Sequence, residues 1–192
     1  MSEKRLKVEV DKALEYLKQG KTILYPTDTV WGVGCDATNA KAVKNIYSLK
    51  RRNEAKSLII LVDSIEMLKK YIAKQPDSIY QLADTLDNPT TIIYPRAKNL
   101  ANNAIANDGS IAIRIVKEEF CKQLIKKFGK PITSSSANIS GDKTPLLFRK
   151  ILPDVIKKVD HIVDWNRDEI SDIKPSTIIR ANEDGSFEII RE

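Results

Sequence analysis

The chain has 192 residues, of which 42% are hydrophobic, and its 32 lysines and arginines against 26 acids give a net charge of +6. This composition is that of one globular domain with a full core, and it excludes repeat, collagenous and largely disordered chains. The longest apolar run, at residues 58–62, is far below the about 20 residues that a membrane span needs, and the N-terminus has no apolar signal region. We therefore expect one domain over residues 1–192, located in the cytoplasm and away from membranes.

Apolar periodicity and capping residues predict helices and strands in alternation. Val10, Ala13, Leu14 and Leu17 recur at helical spacing before Gly20, which predicts a first helix, and a second helix follows Asn39 as its N-cap. Further helices are predicted at residues 64–72, 78–86, 118–128 and 153–159. Strands are predicted at residues 21–25, 57–62, 90–94, 110–116, 131–133 and 161–164, and a hairpin is predicted from residues 177–180 and 187–191. The fold class is therefore α/β, with a twisted open mixed sheet, flanking helices and a strand order that the pattern leaves open.

The strand at residues 110–116 carries a charge where none is expected. Ile111, Ile113 and Ile115 share one face, so Arg114 lies on the opposite face. An arginine in such a strand needs an anionic partner.

The cysteines and the histidine limit the chemistry. Cys35 and Cys121 are far apart and form no CxxC pair, so neither a disulfide framework nor a cysteine-based metal site is indicated. The single histidine, His161, excludes zinc sites with several histidine or cysteine ligands. It lies in a strand-like stretch, where a structural role is favoured over a Ser-His-Asp triad. No metal site is predicted, and we expect the chemistry to use cations, hydroxyls and amides.

Two glycine motifs resemble nucleotide-binding signatures without meeting their requirements. The segment at residues 32–37 fits G-x-G-x-x-A, but residues 26–31 separate it from the preceding strand, and the residue about 20 positions on is Lys56 rather than an acid. A dinucleotide site is therefore disfavoured. In the second motif, at residues 141–144, Lys143 does not directly follow the glycine, so it is not a Walker loop.

Three polar segments follow or precede predicted strands. They are the hydroxyl-rich turn 27–29, the basic run 41–56 and the serine-amide turn 134–138. Taken alone, each is more typical of a turn or a solvated face. Together with Arg114, they predict a site for a phosphorylated or nucleotide ligand and a small polar co-substrate.

The stretches YPTDTVWGVGCDATNAKAVKNIYSLKRR, SIAIRI and KPITSSSANISG are similar to the YrdC family of threonylcarbamoyl-AMP synthases, over about residues 12–191. The chain resembles the short, single-domain members. The resemblance implies a twisted open α/β sheet with a basic concave cavity.

The resemblance also implies an activity and its residues. The family is a nucleotidyltransferase that joins L-threonine, bicarbonate and ATP, which carries Mg²⁺, into threonylcarbamoyl-AMP and pyrophosphate. A transferase machinery then passes the group to an adenosine in tRNA. Carried over, the catalytic residues are Lys50, Arg52, Ser136 and Asn138. The threonine-binding residues are Thr29, Arg114, Ser134 and Ser176. The ATP-binding residues are Arg52, Lys56, Ser110, Ser136, Thr144 and Arg191.

The sequence departs from the family pattern at Asn53, Leu61, Asn88 and Arg180, which bears on pocket shape and rate. A YciO-like sister branch lacks both the K-x-R and the S-x-N motifs, which this sequence keeps. The alternative function is an RNA-binding module that uses the basic surface without synthase activity, and an NADP-binding enzyme is a third.

Overall fold

A computed structural model describes residues 2–53, 57–167 and 175–192. Its α-helices are α1 (Ser2–Lys18), α2 (Ala40–Lys50), α3 (Ile65–Tyr71), α4 (Asp77–Thr85), α5 (Glu119–Phe128) and α6 (Pro153–Ile156). Short 3₁₀ helices lie at Asn102–Ala104 and Phe148–Lys150. The strands are β1 (Ile23–Tyr25), β2 (Gly32–Gly34), β3 (Ile59–Val62), β4 (Thr90–Tyr94), β5 (Ile111–Ile115), β6 (Ile132–Ser136), β7 (His161–Ile162), β8 (Thr177–Ala181) and β9 (Phe187–Arg191).

The helix ends follow the residues that the sequence indicated. Asn39 accepts a hydrogen bond from the Ala42 amide at 3.1 Å and caps α2, and Ser64 caps α3 by accepting from the Met67 amide at 3.2 Å. Gly20, with a φ of 69°, turns the chain after α1 in the left-handed region. The last predicted helix is shorter than expected, since α6 ends at Ile156.

The nine strands of the described residues form one mixed sheet in the order β7-β1-β2-β6-β3-β5-β4-β8-β9. The pairs β1–β7, β3–β5 and β4–β8 are parallel, and the other neighbours are antiparallel. The predicted α/β class with a mixed sheet is confirmed, and the predicted hairpin is formed by β8 and β9. The strand β2 is fully buried and β3, in the middle of the sheet, is buried at three of its four residues, so the core lies around the centre of the sheet.

The strand β2 was not predicted, because its residues were considered only as a glycine fingerprint. It lies between β1 and β6. A Cβ atom on Gly34 would come within 2.1 Å of the Thr133 carbonyl oxygen, so only glycine allows β2 and β6 to approach. The segment is therefore an internal strand and not the strand-to-helix turn of a dinucleotide site.

The sheet brings distant polar segments together. Ser136 on β6 pairs with Gly32 on β2, and Ser134 pairs with Ile59 on the other side. β5 lies next to β3, where Ile59 is the partner of Ala112. One face of these central strands therefore carries the turn after β1, the end of β6 and the middle of β5.

Candidate functional site

A cavity of about 410 Å³ lies over the central strands. Eight of the residues predicted for the site line it, and they come from seven separate parts of the chain. They are Thr29, Arg52, Arg114, Ser134, Ser136, Thr144, Ser176 and Arg191. Of the described residues that line it, three are arginines and none is acidic. Such a lining favours anionic ligands with several hydrogen-bond acceptors.

Three predicted residues are placed outside the described lining of the cavity, and a fourth lies outside the described residues. Lys50 and Asn138 are buried next to the cavity rather than among the described residues that line it. Ser110 lies before β5, where its hydroxyl donates to the Asp108 carboxylate at 2.6 Å, and it too is outside that lining. Lys56 lies outside the described residues.

Lys50 holds the turn that follows β6. Its Nζ atom donates to the carbonyl oxygens of Ser136 and Asn138, the second at 2.6 Å. Its own carbonyl accepts from the Ser140 amide at 2.8 Å. Burial, and then the nearby charge of Arg52, lower the pKa of Lys50 from 10.5 to about 8. Lys50 thus connects the end of α2 to the serine-amide turn.

The Asn138 side chain forms hydrogen bonds across the same turn. Its Nδ2 atom donates to the carbonyls of Ile139 and Asp142 at 2.9 and 2.8 Å, and its Oδ1 atom accepts from the Ser136 hydroxyl at 2.5 Å. This network fixes the Ser136 side chain at the cavity wall. The S-x-N spacing therefore allows the serine and asparagine side chains to form a hydrogen bond within the turn.

The residues predicted to bind the amino acid are fixed by neighbours. The Thr29 amide donates to the Thr27 hydroxyl at 3.1 Å. The Ser176 and Thr91 hydroxyl oxygens lie 2.9 Å apart in the interior. The Ser176 carbonyl accepts from Arg191 Nη2 at 2.6 Å, which ties β9 to the segment before β8.

Arg114 lines the cavity from the face opposite the isoleucines, as the alternation predicted. Its anionic partner within the chain is Asp28, whose Oδ1 atom lies 2.9 Å from Arg114 Nη2. The Arg52 guanidinium donates to the Ser57 carbonyl at 2.8 Å, and burial lowers its pKa. Arginine nevertheless stays protonated at neutral pH, so these side chains give the cavity permanent cations.

Sequence reasoning missed two supporting residues. The sequence pattern places Asp28 in a polar turn without pairing it with Arg114, and it places Thr91 in a strand without giving it a role in the site. The available signal for Asp28 was an acid in a turn and an unpaired arginine in an apolar strand. Thr91 gave no signal, because a threonine in a strand is ordinary.

The remaining chemical candidates lie elsewhere. His161 stacks on the Tyr16 ring with 4.6 Å between centroids, and burial lowers its pKa. Within the described ranges, no group of three or more His, Cys, Asp or Glu residues is arranged to hold a metal ion. No helix in that part of the chain is both long and apolar enough to cross a membrane.

The fold and the cavity define an α/β protein with an arginine- and hydroxyl-lined ligand site. A family model for the Sua5, YciO and YrdC proteins, described as "Telomere recombination", matches residues 15–192. The chain belongs to this family.

Relatives of known name share most of the chain. A threonylcarbamoyl-AMP synthase from Pseudoalteromonas translucida is 36% identical over 155 residues, which is 79% of this chain and 83% of that protein. A second, from Vibrio parahaemolyticus, is 37% identical over 134 residues, 68% of this chain and 72% of that protein.

Solved structures share the fold. P. abyssi Sua5 complexed with L-threonine has a TM-score of 0.81 and 29% identity, and the match covers 89% of this chain and 50% of that one. This chain therefore spans half the length of that Sua5. E. coli YciO, at 20% identity, has the same fold with a TM-score of 0.81 over 95% of this chain and 88% of its own.

Proposed function

We propose that this protein is a threonylcarbamoyl-AMP synthase that acts on L-threonine, bicarbonate and ATP and releases pyrophosphate. The observation that carries the proposal is the cavity, which brings the arginines of three chain segments beside buried hydroxyls in a member of this family. The named relatives and the threonine complex of Sua5 support the choice of substrates.

The reaction needs positioning and charge more than a protein nucleophile. The amine of threonine and bicarbonate give a carbamate with loss of water. A carbamate oxygen forms a bond to the α-phosphorus, and the bond from that phosphorus to the pyrophosphate oxygen breaks. Negative charge grows on the phosphate oxygens, so fixed cations and N–H donors in a secluded cavity stabilise the transition state.

The residues divide by position. Arg52, Arg191 and Thr144 suit the triphosphate, together with Ser136 on its braced turn. Arg114, with the hydroxyls of Thr29, Ser134 and Ser176, suits the amino acid. Ser110 and Lys56 remain proposed nucleotide contacts, and Lys50 and Asn138 act in this proposal by shaping the turn.

Mg²⁺ belongs to this scheme as part of the nucleotide substrate. No acidic residue is found among the described residues of the cavity wall, and this donor set suits a metal held by phosphates and water. We further propose that the product passes to a transferase machinery acting on tRNA, in the cytoplasm, and that residues 1–192 act as one domain.

The test is an omission experiment. The protein is incubated with MgATP, L-threonine and ¹⁴C-bicarbonate, and pyrophosphate and the labelled adenylate are measured. We expect both products only when threonine and bicarbonate are present together. Equal pyrophosphate release without threonine would contradict the proposal. RNA binding without any turnover would favour the alternative of a non-catalytic RNA-binding module.

A further inference from the structure

Asp28 is a buried acid beside the cavity that the proposed reaction does not use directly. It lies in the turn between β1 and β2, next to Thr29, but is not itself among the described residues of the cavity wall. Its side chain is 9% exposed and that of Arg114 is 4% exposed. A buried ion pair is costly to form, so its persistence calls for a reason beyond stability.

The contacts of Asp28 hold it against the end of β5. Oδ1 lies 2.9 Å from Arg114 Nη2, and Oδ2 accepts from the Lys117 amide at 3.3 Å. The first contact lacks the alignment of a hydrogen bond, since Oδ1 has no hydrogen-bond partner in the described part of the chain. Asp28 therefore restrains the guanidinium by charge, from a backbone-anchored position.

Arg114 retains an unused donor. Its Nε atom is buried and has no hydrogen-bond partner among the described residues. Leaving a buried donor unpaired is unfavourable. The ion pair at Nη2 restrains the guanidinium at the wall of the cavity that Arg114 lines.

We propose that Asp28 is a positioning residue that sets the affinity for the amino-acid substrate by orienting Arg114 toward its carboxylate. This inference rests on the proposed function, in which Arg114 serves the amino acid.

Three roles of Asp28 predict different results for Asp28→Asn. If Asp28 only lowered the positive charge of the cavity, its loss would tighten the binding of both threonine and ATP. If it only supported the fold, its loss would lower stability and weaken the binding of both ligands together. If Asp28 positions Arg114, its loss weakens the binding of threonine alone, although the cavity becomes more positive.

The chain offers a matched control in Asp36. Its side chain is 7% exposed, and it forms an ion pair with Lys130 at 3.1 Å and accepts from the Thr38 hydroxyl at 2.6 Å. It is absent from the described lining of the cavity. Asp36→Asn thus removes a similar buried charge without changing the orientation of Arg114.

The experiment measures L-threonine and MgATP binding separately by calorimetry, with thermal melting as a check on folding. We expect Asp28→Asn to weaken threonine binding about ten-fold, from the usual size of coupling between contacting residues. ATP affinity should stay within a few-fold of wild type. We expect Asp36→Asn to leave both affinities unchanged. In an Arg114→Lys background, Asp28→Asn should add little further loss. If Asp28→Asn does not fold, Asp28→Glu is measured instead, since it keeps the charge but moves it. This variant should weaken the binding of threonine alone.

Unchanged or tighter threonine binding in a folded Asp28→Asn protein would overturn the inference. So would equal loss of both ligands, or full additivity with Arg114→Lys. A wild-type protein that binds no threonine would instead overturn the proposed function. The two failures are therefore distinguishable.

Discussion

The two sides of the cavity differ in how firmly their residues are held. The residues proposed for threonine, namely Thr29, Arg114, Ser134 and Ser176, are all buried. Those proposed for the nucleotide are more accessible where they line the cavity, since Arg52 and Ser136 are half-buried and Thr144 and Arg191 are exposed.

In the proposed function, this difference matches two unequal ligands of one cavity. A small amino acid offers few contacts, so affinity requires donors that are ordered in advance. The triphosphate brings its own charge and many acceptors, so longer side chains reaching from the rim suffice. The threonine side is accordingly supported by Asp28, Thr91 and Thr27, which the ligand does not touch in this account.

The largest expected effect lies on the nucleotide side. Arg52→Ala should lower turnover by about 10²–10³, by analogy with the loss of one charge-stabilising donor in an oxyanion site. Steady-state rates of pyrophosphate release would measure it. Lys44→Ala, which removes an exposed cation of the same basic run, should change the rate little. Near wild-type activity in Arg52→Ala would show that the basic loop is only a solvated face.

The next effect concerns the support beneath the serine-amide turn. Because burial lowers the pKa of Lys50 to about 8, the unfolded chain holds a proton between pH 8 and 10.5 that the folded chain has released. Stability therefore rises with pH in this window, by up to about 3 kcal/mol at 1.36 kcal/mol per unit. Below pH 8 both states are protonated and this slope vanishes.

Lys50→Met removes that titration. Denaturant unfolding at pH 7 and pH 10 should show wild-type stability improving relative to Lys50→Met as pH rises. Lys44→Met, which replaces an exposed lysine on the same helix, is the matched control for the substitution itself. A pH-independent difference between wild type and Lys50→Met would mean that Lys50 keeps its ordinary pKa.

On the threonine side, Arg114→Lys keeps the charge but loses the planar fork. We expect threonine binding to weaken by roughly 1.5–3 kcal/mol, the value of a charge-assisted hydrogen bond. ATP binding should stay within a few-fold of wild type. Separate calorimetric titrations would measure both. An ATP affinity that fell as far as the threonine affinity would erase the distinction between the two sides.

The smallest expected effect is that of Thr91→Val, which removes the hydroxyl that contacts Ser176 at 2.9 Å. Threonine affinity should fall several-fold, in line with about 1 kcal/mol for one neutral hydrogen bond. Thr90→Val is the matched control, because the Thr90 hydroxyl donates to the exposed Asn88 carbonyl instead. If both variants bind threonine equally well, Ser176 needs no support from Thr91.

Local patterns predicted most elements of this fold. Periodicity and caps located α1, α2, α3 and α5, because those signals lie within a few residues of the helix. The strand β2 escaped prediction because it has no apolar alternation. It can pair closely with β6 because Gly34 has no Cβ to clash with the Thr133 carbonyl oxygen.

The site was predictable in its residue types and less so in its supports. Alternation in β5 placed Arg114 on the cavity face, since side chains alternate along any strand. The pairing of Arg114 with Asp28 joins residues 86 positions apart along the chain. Such contacts depend on strand order, which one sequence does not reveal. For the same reason Lys50 was expected in the cavity, whereas it is buried beneath the turn.

The most direct test of the two-sided cavity is to titrate ¹⁵N-labelled wild-type protein with L-threonine and, separately, with a non-hydrolysable MgATP analogue, following the backbone amide signals by NMR. We expect threonine to shift the amides of Thr29, Arg114, Ser134 and Ser176. The nucleotide should shift those of Arg52, Ser136, Thr144 and Arg191. If threonine shifted mainly the second set, or if both ligands shifted both sets equally, the cavity would not be divided between the two ligands in this way.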